Sequence, residues 1–199
     1  MSKHQTMSIN DVDVGFENTL MRVVMLNALQ EVKIGDLSVG PIGVGEELET
    51  RYWVASQLVT SGFARFQEDA LMSYDVLHGI HWKETKLQRG RTISSLPRYF
   101  YPKLRRYLSQ LKLKATKDAT RSNEYNNAVR LTQDIISCRL KKIVGLSASQ
   151  TQTEETLQKL SLEERNLYDR LYDIVSGWRS KILKTSTSSR RSKTEQALR

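Results

Sequence analysis

The chain has 199 residues, of which 39% are apolar and 27% charged, and its net charge is +9. This length is sufficient to bury a hydrophobic core as one domain or as two small ones. No apolar run approaches the roughly 20 residues of a membrane span. The polar N-terminus lacks the apolar core expected of a secretory signal. The single cysteine, Cys138, cannot form an internal disulfide, which fits a reducing compartment.

The charge is unevenly distributed. Residues 1–82 carry 5 Lys or Arg against 11 Asp or Glu, and residues 83–117 carry 11 against 1. Residues 118–180 are balanced at 9 against 9, and residues 181–199 carry 6 against 1. An acidic front followed by a basic middle and tail predicts a nucleic acid or an acidic protein surface as a neighbour.

The first third of the chain alternates short branched segments with one helix. The predicted elements are strands at 20–26, 31–37 and 63–66 and a helix at 50–62. Trp53, Ala55, Leu58 and Val59 share one side of this helix, and Gly62 is its expected C-terminal cap. The sequence therefore predicts a small β-rich domain over residues 1–66.

Three glycines, Gly40, Gly43 and Gly45, precede this helix as they would in a phosphate-binding loop. A P-loop needs a lysine and a hydroxyl residue directly after its last glycine. Here Glu46 and Glu47 follow, and two carboxylates would repel phosphate. The spacing also differs from the dinucleotide-binding fingerprint. We therefore predict structural turns at these glycines and no nucleotide cofactor.

From residue 67 the pattern becomes helical. Apolar side chains recur every three or four residues in the stretches 68–87, 94–114, 125–149 and 161–183. Ser161 and Glu164 have the spacing of a capping box. These features predict a helical domain of four to five helices over residues 67–184. Residues 185–199 have almost nothing to bury and are expected to form a disordered basic tail. The fold class is thus mainly α with a small β-rich N-terminal domain.

Two of the predicted helices carry long apolar stripes. Their members are Tyr125, Val129, Thr132, Ile136, Leu140 and Ile143 in the first, and Leu167, Leu171, Ile174, Trp178 and Ile182 in the second. Such stripes usually face a bundle core, but helices of obligate complexes bury a second face on a partner, where Trp and Tyr are favoured. Tyr168 and Tyr172 lie off the stripe. The candidate subunit-interface residues are Trp178, Tyr168, Tyr172, Leu171 and Ile174.

Asp75, His78, His81 and Glu84 recur every three residues and invite comparison with a metal site. A strict three-residue spacing turns about 60° around the helix at each step, so the four side chains cannot all face one ion. The chain also has no G-x-S-x-G elbow, and Cys138 has no obvious histidine partner. We therefore predict no catalytic residue, no metal and no cofactor.

The basic stretch from Lys83 to Lys117 is interleaved with aromatic residues. The aromatic residues are expected to face a core. The charges are suited to phosphates or to an acidic partner subunit. The candidate contacts are Arg98, Lys103, Arg105, Arg106, Lys112 and Lys114, with Arg190 and Arg191 in the tail.

Three motifs resemble those of the GINS replication-factor subunits, and the resemblance runs from about residue 32 to residue 183. The first is the Gly40-Pro41 turn with Gly45 and the helical Trp53-Val54-Ala55. The second is Leu96-Pro97 before Tyr99-Phe100-Tyr101, and the third comprises Arg139, Lys141, Lys142 and Ile143. Arg51-Tyr52 departs from the apolar pair usual in the family, which affects the alignment of the helix start.

The resemblance implies a non-catalytic scaffold. With its β domain first, the chain is similar to the subunit class that is one protein in archaea and two paralogues in eukaryotes. Such subunits assemble through their α domains with a sister subunit whose α domain comes first, in archaea as a 2:2 hetero-tetramer. The tetramer bridges the MCM helicase and a RecJ-like protein and activates the helicase at the replication fork.

Two further expectations follow. The implied location is the cytoplasm at the nucleoid, or the nucleus of a eukaryote. Without the resemblance, the charges favour a different class of protein, namely a stand-alone basic helical DNA-binding protein that uses Lys83–Lys117 and the tail.

Overall fold

The computed structural model describes residues 8–34, 37–67, 71–86, 92–118, 121–149 and 153–195; side chains at 34, 37, 38, 117 and 184–195 are not described. Its strands are β1 (Leu20–Met25), β2 (Val32–Ile34), β3 (Leu37–Val39), β4 (Glu47–Arg51) and β5 (Ala64–Phe66). Its helices are α1 (Ile9–Glu17), α2 (Tyr52–Thr60), α3 (Tyr74–Lys86), α4 (Phe100–Lys117), α5 (Ser122–Ala148), α6 (Glu154–Gln158) and α7 (Leu162–Glu195). The predicted fold class, mainly α with a small β-rich N-terminal region, is confirmed.

A three-stranded antiparallel sheet of order β4-β1-β5 forms the core of the N-terminal region, and β2 and β3 form a separate hairpin. Val23 and Met25 of β1 are buried against Ala55 of α2 and Ala64 of β5. The predicted face of α2 needs correction. Tyr52, which packs on Phe16 at 4.5 Å between ring centroids, is buried, whereas Trp53 points outward.

The glycine loop has the structural role that its sequence predicts. Gly40 has a φ of 97°, and a Cβ there would lie 2.8 Å from the carbonyl oxygen of Gln30. Only glycine fits this close approach without a shift of the backbone. The backbone N–H of Gly43 donates to a carboxylate oxygen of Glu46 at 2.8 Å. The carboxylate therefore occupies a donor that a phosphate would need.

Helix α1 is an element that the sequence reasoning did not predict. Ser8 and Asp11 form a capping box at its start, and Val12 and Phe16, four residues apart, are buried. The helix contacts α2, α4 and α7. It therefore joins the β-rich region to the helical region.

The helical region packs around the first half of α5. Leu77 of α3, Phe100 and Leu104 of α4, and Leu131 and Ile135 of α5 share one buried cluster. Of the aromatic residues predicted to face a core, Phe100 is buried, and Tyr101 and Tyr107 pack against the cluster.

The predicted buried stripe of α5 is partly wrong. Ile136 and Leu140 are exposed. Ala128, Leu131 and Ile135 face the core in their place, because α3 and α4 pack on a side of α5 rotated from the predicted stripe.

Helix α7 extends further than the sequence analysis expects. Its backbone is helical to Glu195, within the segment expected to be a disordered tail. Residues 184–195 contain neither glycine nor proline, so no helix breaker ends α7 there.

Candidate subunit interface

The guanidinium group of Arg139 lies at the centre of a buried ion-pair cluster and is 1% exposed. It donates to Glu84 Oε1 at 2.6 Å and to both carboxylate oxygens of Glu164 at 2.5 and 2.6 Å. The carbonyl oxygens of Ser94 and Lys159 accept its other two hydrogen bonds, at 2.9 and 3.4 Å. All five N–H donors of the side chain are thus used.

The charges of this cluster are balanced and its oxygens are satisfied. Lys142 donates to the second oxygen of Glu84 at 2.8 Å, and the hydroxyl of Tyr101 donates to Glu164 at 2.7 Å. Burial alone would raise the pKa of Glu84, but the hydrogen bonds from Lys142 and Ser94 and the charge of Arg139 outweigh burial and lower it. Glu84 is therefore a structural carboxylate.

The same cluster sets the rotation of α7 about its axis. Glu164 lies in the first turn of α7, where it also completes the predicted capping box: Ser161 N donates to Glu164 Oε2 at 2.9 Å, and Glu164 N donates to Ser161 Oγ at 3.3 Å. Tyr168, one turn later, is 3% exposed and packs with Ile93 and Ile143. The side of α7 that carries Glu164 and Tyr168 therefore faces the core.

This rotation leaves the apolar stripe of α7 outside. Ile174 and Trp178 are 68% and 63% exposed, and Leu167 and Ile182 are also exposed. Leu171 is partly buried against the core and Tyr172 is exposed. The expectation that Tyr168 lies on an exposed second face is corrected, because its ring fills the core instead.

Exposed apolar residues also follow one side of α5, the helix on which α7 packs. They are Ile136, Leu140 and Val144, spaced four residues apart. The helices run side by side in the same direction, since Arg139 contacts Glu164 and, nine residues on, the carbonyl of Ala148 accepts from Arg179 at 2.7 Å. We call the exposed residues the α5–α7 apolar face: Ile136, Leu140, Val144, Leu167, Ile174, Trp178 and Ile182.

A groove of about 720 Å³ lies at one end of this face. Ile136, Leu140 and Leu167 line it on the helical side, and Ile9 of α1 lines it on the other. Glu163 also lines the groove, and its Oε1 is buried without a hydrogen-bond partner among the residues that the structure describes. A buried carboxylate oxygen without a donor is unfavourable for the folded chain.

Two of the eight predicted basic contacts form ion pairs within the described part of the chain. Arg105 lies 2.8 Å from Asp13, and Arg106 contacts both Asp13 and Glu17 of α1. Lys103 is half-buried, and burial lowers its pKa.

The remaining basic candidates differ in their surroundings. Arg98 covers the ring of Tyr99 with its guanidinium carbon 4.9 Å from the ring centroid. Lys112 and Lys114 are exposed near the end of α4. Arg190 and Arg191 lie outside the side chains that the structure describes.

The four residues compared with a metal site do not form one cluster. Glu84 is buried in the cluster described above, and His81 lies 3.3 Å from Asp134 of α5. Asp75 and His78 are exposed, and the His78 ring centroid lies 6.5 Å from that of His81. Within the described ranges, no group of three or more His, Cys, Asp or Glu side chains is arranged to hold a metal ion. Across those same ranges, no helix combines the length and the hydropathy that crossing a membrane requires.

Comparison with known protein families identifies the helical region. The family model described as Sld5, the GINS complex protein helical bundle domain, matches residues 71–183. This range includes α3 to α6 and most of the described part of α7, and therefore both helices of the α5–α7 apolar face. No curated protein matches the chain.

Proposed function

The chain belongs to the GINS family of DNA-replication proteins, and we propose that it is a non-catalytic subunit that binds its partner subunit through the α5–α7 apolar face. The observation that carries this proposal is the exposure of Ile174 and Trp178 on a helix whose core side is already filled by Tyr168. Large apolar side chains grouped on one surface are typical of protein–protein interfaces.

The groove beside this face supports the same assignment. Its largely apolar walls suit an inserted apolar side chain of the partner. Trp178 is of the residue type that most often dominates binding energy when it becomes buried. Of the predicted interface residues, Trp178, Ile174 and Tyr172 are accessible for this role, with Leu171 at the edge.

The finer parts of the proposal follow the resemblance. Residues 1–66 form a small domain that docks other replisome proteins, residues 67–184 assemble the complex, and residues 185–199 form a basic tail. The partner is the sister subunit with its α domain first, in a 2:2 hetero-tetramer as in archaea. The complex links the MCM helicase to a RecJ-like protein and activates the helicase at the fork.

The test is the solution mass of the chain co-expressed with a sister subunit, measured by light scattering. We expect a complex of about four chains that survives high salt. Ile174→Asp places a charge on the apolar face and should weaken assembly by about 30-fold or more, as expected for a central interface position. Val44→Asp is the matched control, because Val44 is 66% exposed but lies in the β-rich region.

Two results would contradict the proposal. One is a complex that Ile174→Asp leaves intact, and the other is a chain that stays monomeric with every sister subunit tested. The alternative, a stand-alone DNA-binding protein, then becomes the leading account. It receives less support here because Asp13 and Glu17 already pair with Arg105 and Arg106. Binding through many phosphates would also fall steeply with salt, whereas a packed apolar interface would not.

A further inference from the structure

Helix α3 carries an exposed surface that is aromatic and basic, whereas the α5–α7 apolar face is mainly aliphatic. Tyr74, His78 and Trp82 recur every four residues, so they share one side of the helix and successive rings are about 6 Å apart along its axis. All three are exposed, Trp82 by 52%. The opposite side of α3, with Leu77 and Ile80, is buried. We call the three residues the α3 aromatic face.

Two contacts along the helix involve these rings. The Tyr74 and His78 rings are 6.2 Å apart between centroids and lie within 23° of parallel. The ammonium group of Lys86, one turn beyond Trp82, lies 3.6 Å from the centroid of the indole ring. Flat aromatic surfaces and a cation therefore occur together along three turns of one helix.

The charge around Trp82 is positive. Lys83 and Lys86 are exposed, and no ion pair within the described residues involves either. Glu84, the single acidic residue between positions 83 and 117, faces the opposite way and is neutralised by Arg139 and Lys142. The carboxylates near the face are those of Asp75, next to Tyr74 in the first turn of α3, and Asp134 of α5, which lies 3.3 Å from His81.

We propose that the α3 aromatic face binds single-stranded nucleic acid. Unpaired bases stack on aromatic rings whatever their sequence, and adjacent lysines neutralise the phosphates. Duplex bases are already stacked on one another, so a duplex offers no such contact. A protein partner is a poorer match, because lysine is depleted at interface cores and the exposed Lys83 and Lys86 lie beside Trp82.

The experiment measures the fluorescence anisotropy of a labelled oligothymidylate of about 15 nucleotides with the full chain, alone and in complex with its sister subunit. Trp82→Ala should weaken binding by about tenfold or more, because one stacked base is lost. Trp53→Ala, which removes another exposed tryptophan from α2, should change it less than about twofold. Two unlabelled competitors of the same length complete the experiment. An oligouridylate shows whether RNA displaces the labelled oligothymidylate equally well, and a duplex shows whether double-stranded DNA displaces it poorly.

The lysines give a second, independent readout. In the Lys83→Ala/Lys86→Ala variant, the slope of log affinity against log salt should fall in magnitude by about 1.4, the value for two phosphate contacts on a single strand. The proposal is overturned if Trp82→Ala binds the oligonucleotide as tightly as the parent chain. It is also overturned if the duplex binds better than the single strand, or if Trp82→Ala weakens subunit assembly but not oligonucleotide binding. Because assembly is measured separately, failure here leaves the proposed function untouched.

Discussion

Arg139 shows how one buried side chain can join distant parts of this chain. Its five donors reach α3, the segment before α4, the residue after α6 and the first turn of α7. A buried ion pair is costly to form, yet breaking one partner leaves an uncompensated buried charge. The stability of the helical region therefore depends on Arg139 and both its carboxylates being present together.

We expect Arg139→Ala to lower the free energy of unfolding by about 3–5 kcal/mol, because Glu84 and Glu164 would then lack their shared partner. Chemical denaturation of the purified chain measures this change. Arg130→Ala is the control on the same helix, since Arg130 is exposed and its loss should cost less than about 0.5 kcal/mol. Similar losses in the two variants would show that the cluster contributes no special stability.

Glu84 should make part of this stability depend on pH. Its pKa in the folded chain lies below the ordinary value of 4.5, so its contribution is present above pH 4.5. That contribution is lost as the pH falls through the lower, folded pKa. The free energy of unfolding of the parent chain should therefore exceed that of Glu84→Gln most at neutral pH, with the difference shrinking below pH 4.5. A difference that stays constant between pH 7 and 3 would contradict this assignment.

At the scale of single elements, α7 shows what periodicity can and cannot reveal. The sequence shows an apolar stripe that includes Leu167, Ile174 and Trp178. It does not show whether this stripe faces the core or the solvent. That direction depends on Glu164 meeting Arg139, which lies 25 residues away in sequence. The capping box at Ser161 was local, so it could be predicted. The rotation of the helix depends on a contact that is distant in sequence, and so the sequence pattern places Tyr168 on the wrong side.

The sequence pattern does not predict helix α1, because the helix is short. Its local signals are present: the Ser8–Asp11 capping box and the Val12–Phe16 pair. Nine residues are too few for a stable isolated helix. The helix is stabilised by contacts that sequence spacing does not show, with Phe16 lying 4.6 Å from the guanidinium of Arg106 and 5.6 Å from the ring of Tyr99.

Phe16→Ala tests how much α1 contributes. Phe16 is fully buried between the two regions, so its truncation should lower the free energy of unfolding by about 3–5 kcal/mol. Asp13→Asn, on the same helix, removes a charge from a partly exposed pair and should cost less than about 1 kcal/mol. Urea unfolding followed by tryptophan fluorescence measures both. A small effect of Phe16→Ala would mean that α1 is not required to join the regions.

At the scale of the whole molecule, the charge pattern of the sequence is partly cancelled by folding. The acidic front and the basic middle contact each other, because Asp13 and Glu17 of α1 pair with Arg105 and Arg106 of α4. The sequence predicts an acidic neighbour for the basic stretch, either nucleic acid or a partner subunit. The acidic groups that contact it in this structure belong to the chain's own N-terminal helix, which the sequence pattern does not predict.

The two proposed binding surfaces lie on different helices. The α5–α7 apolar face is aliphatic with one tryptophan, and the α3 aromatic face combines rings with lysines. The first is suited to an interface that resists salt, and the second to a ligand that salt displaces. Subunit assembly and single-strand binding can therefore be measured separately on the same preparation.

The buried position of Glu164 has a genetic consequence. Because Glu164 fixes the rotation of α7 from inside the chain, a substitution there can change the surface presented to a partner without changing any residue on that surface. Alleles defective in assembly are then expected at Glu164 and Arg139 as well as at Trp178. A second-site suppressor of the buried class would arise within this same gene, whereas suppressors of the exposed class would arise in the gene of the partner.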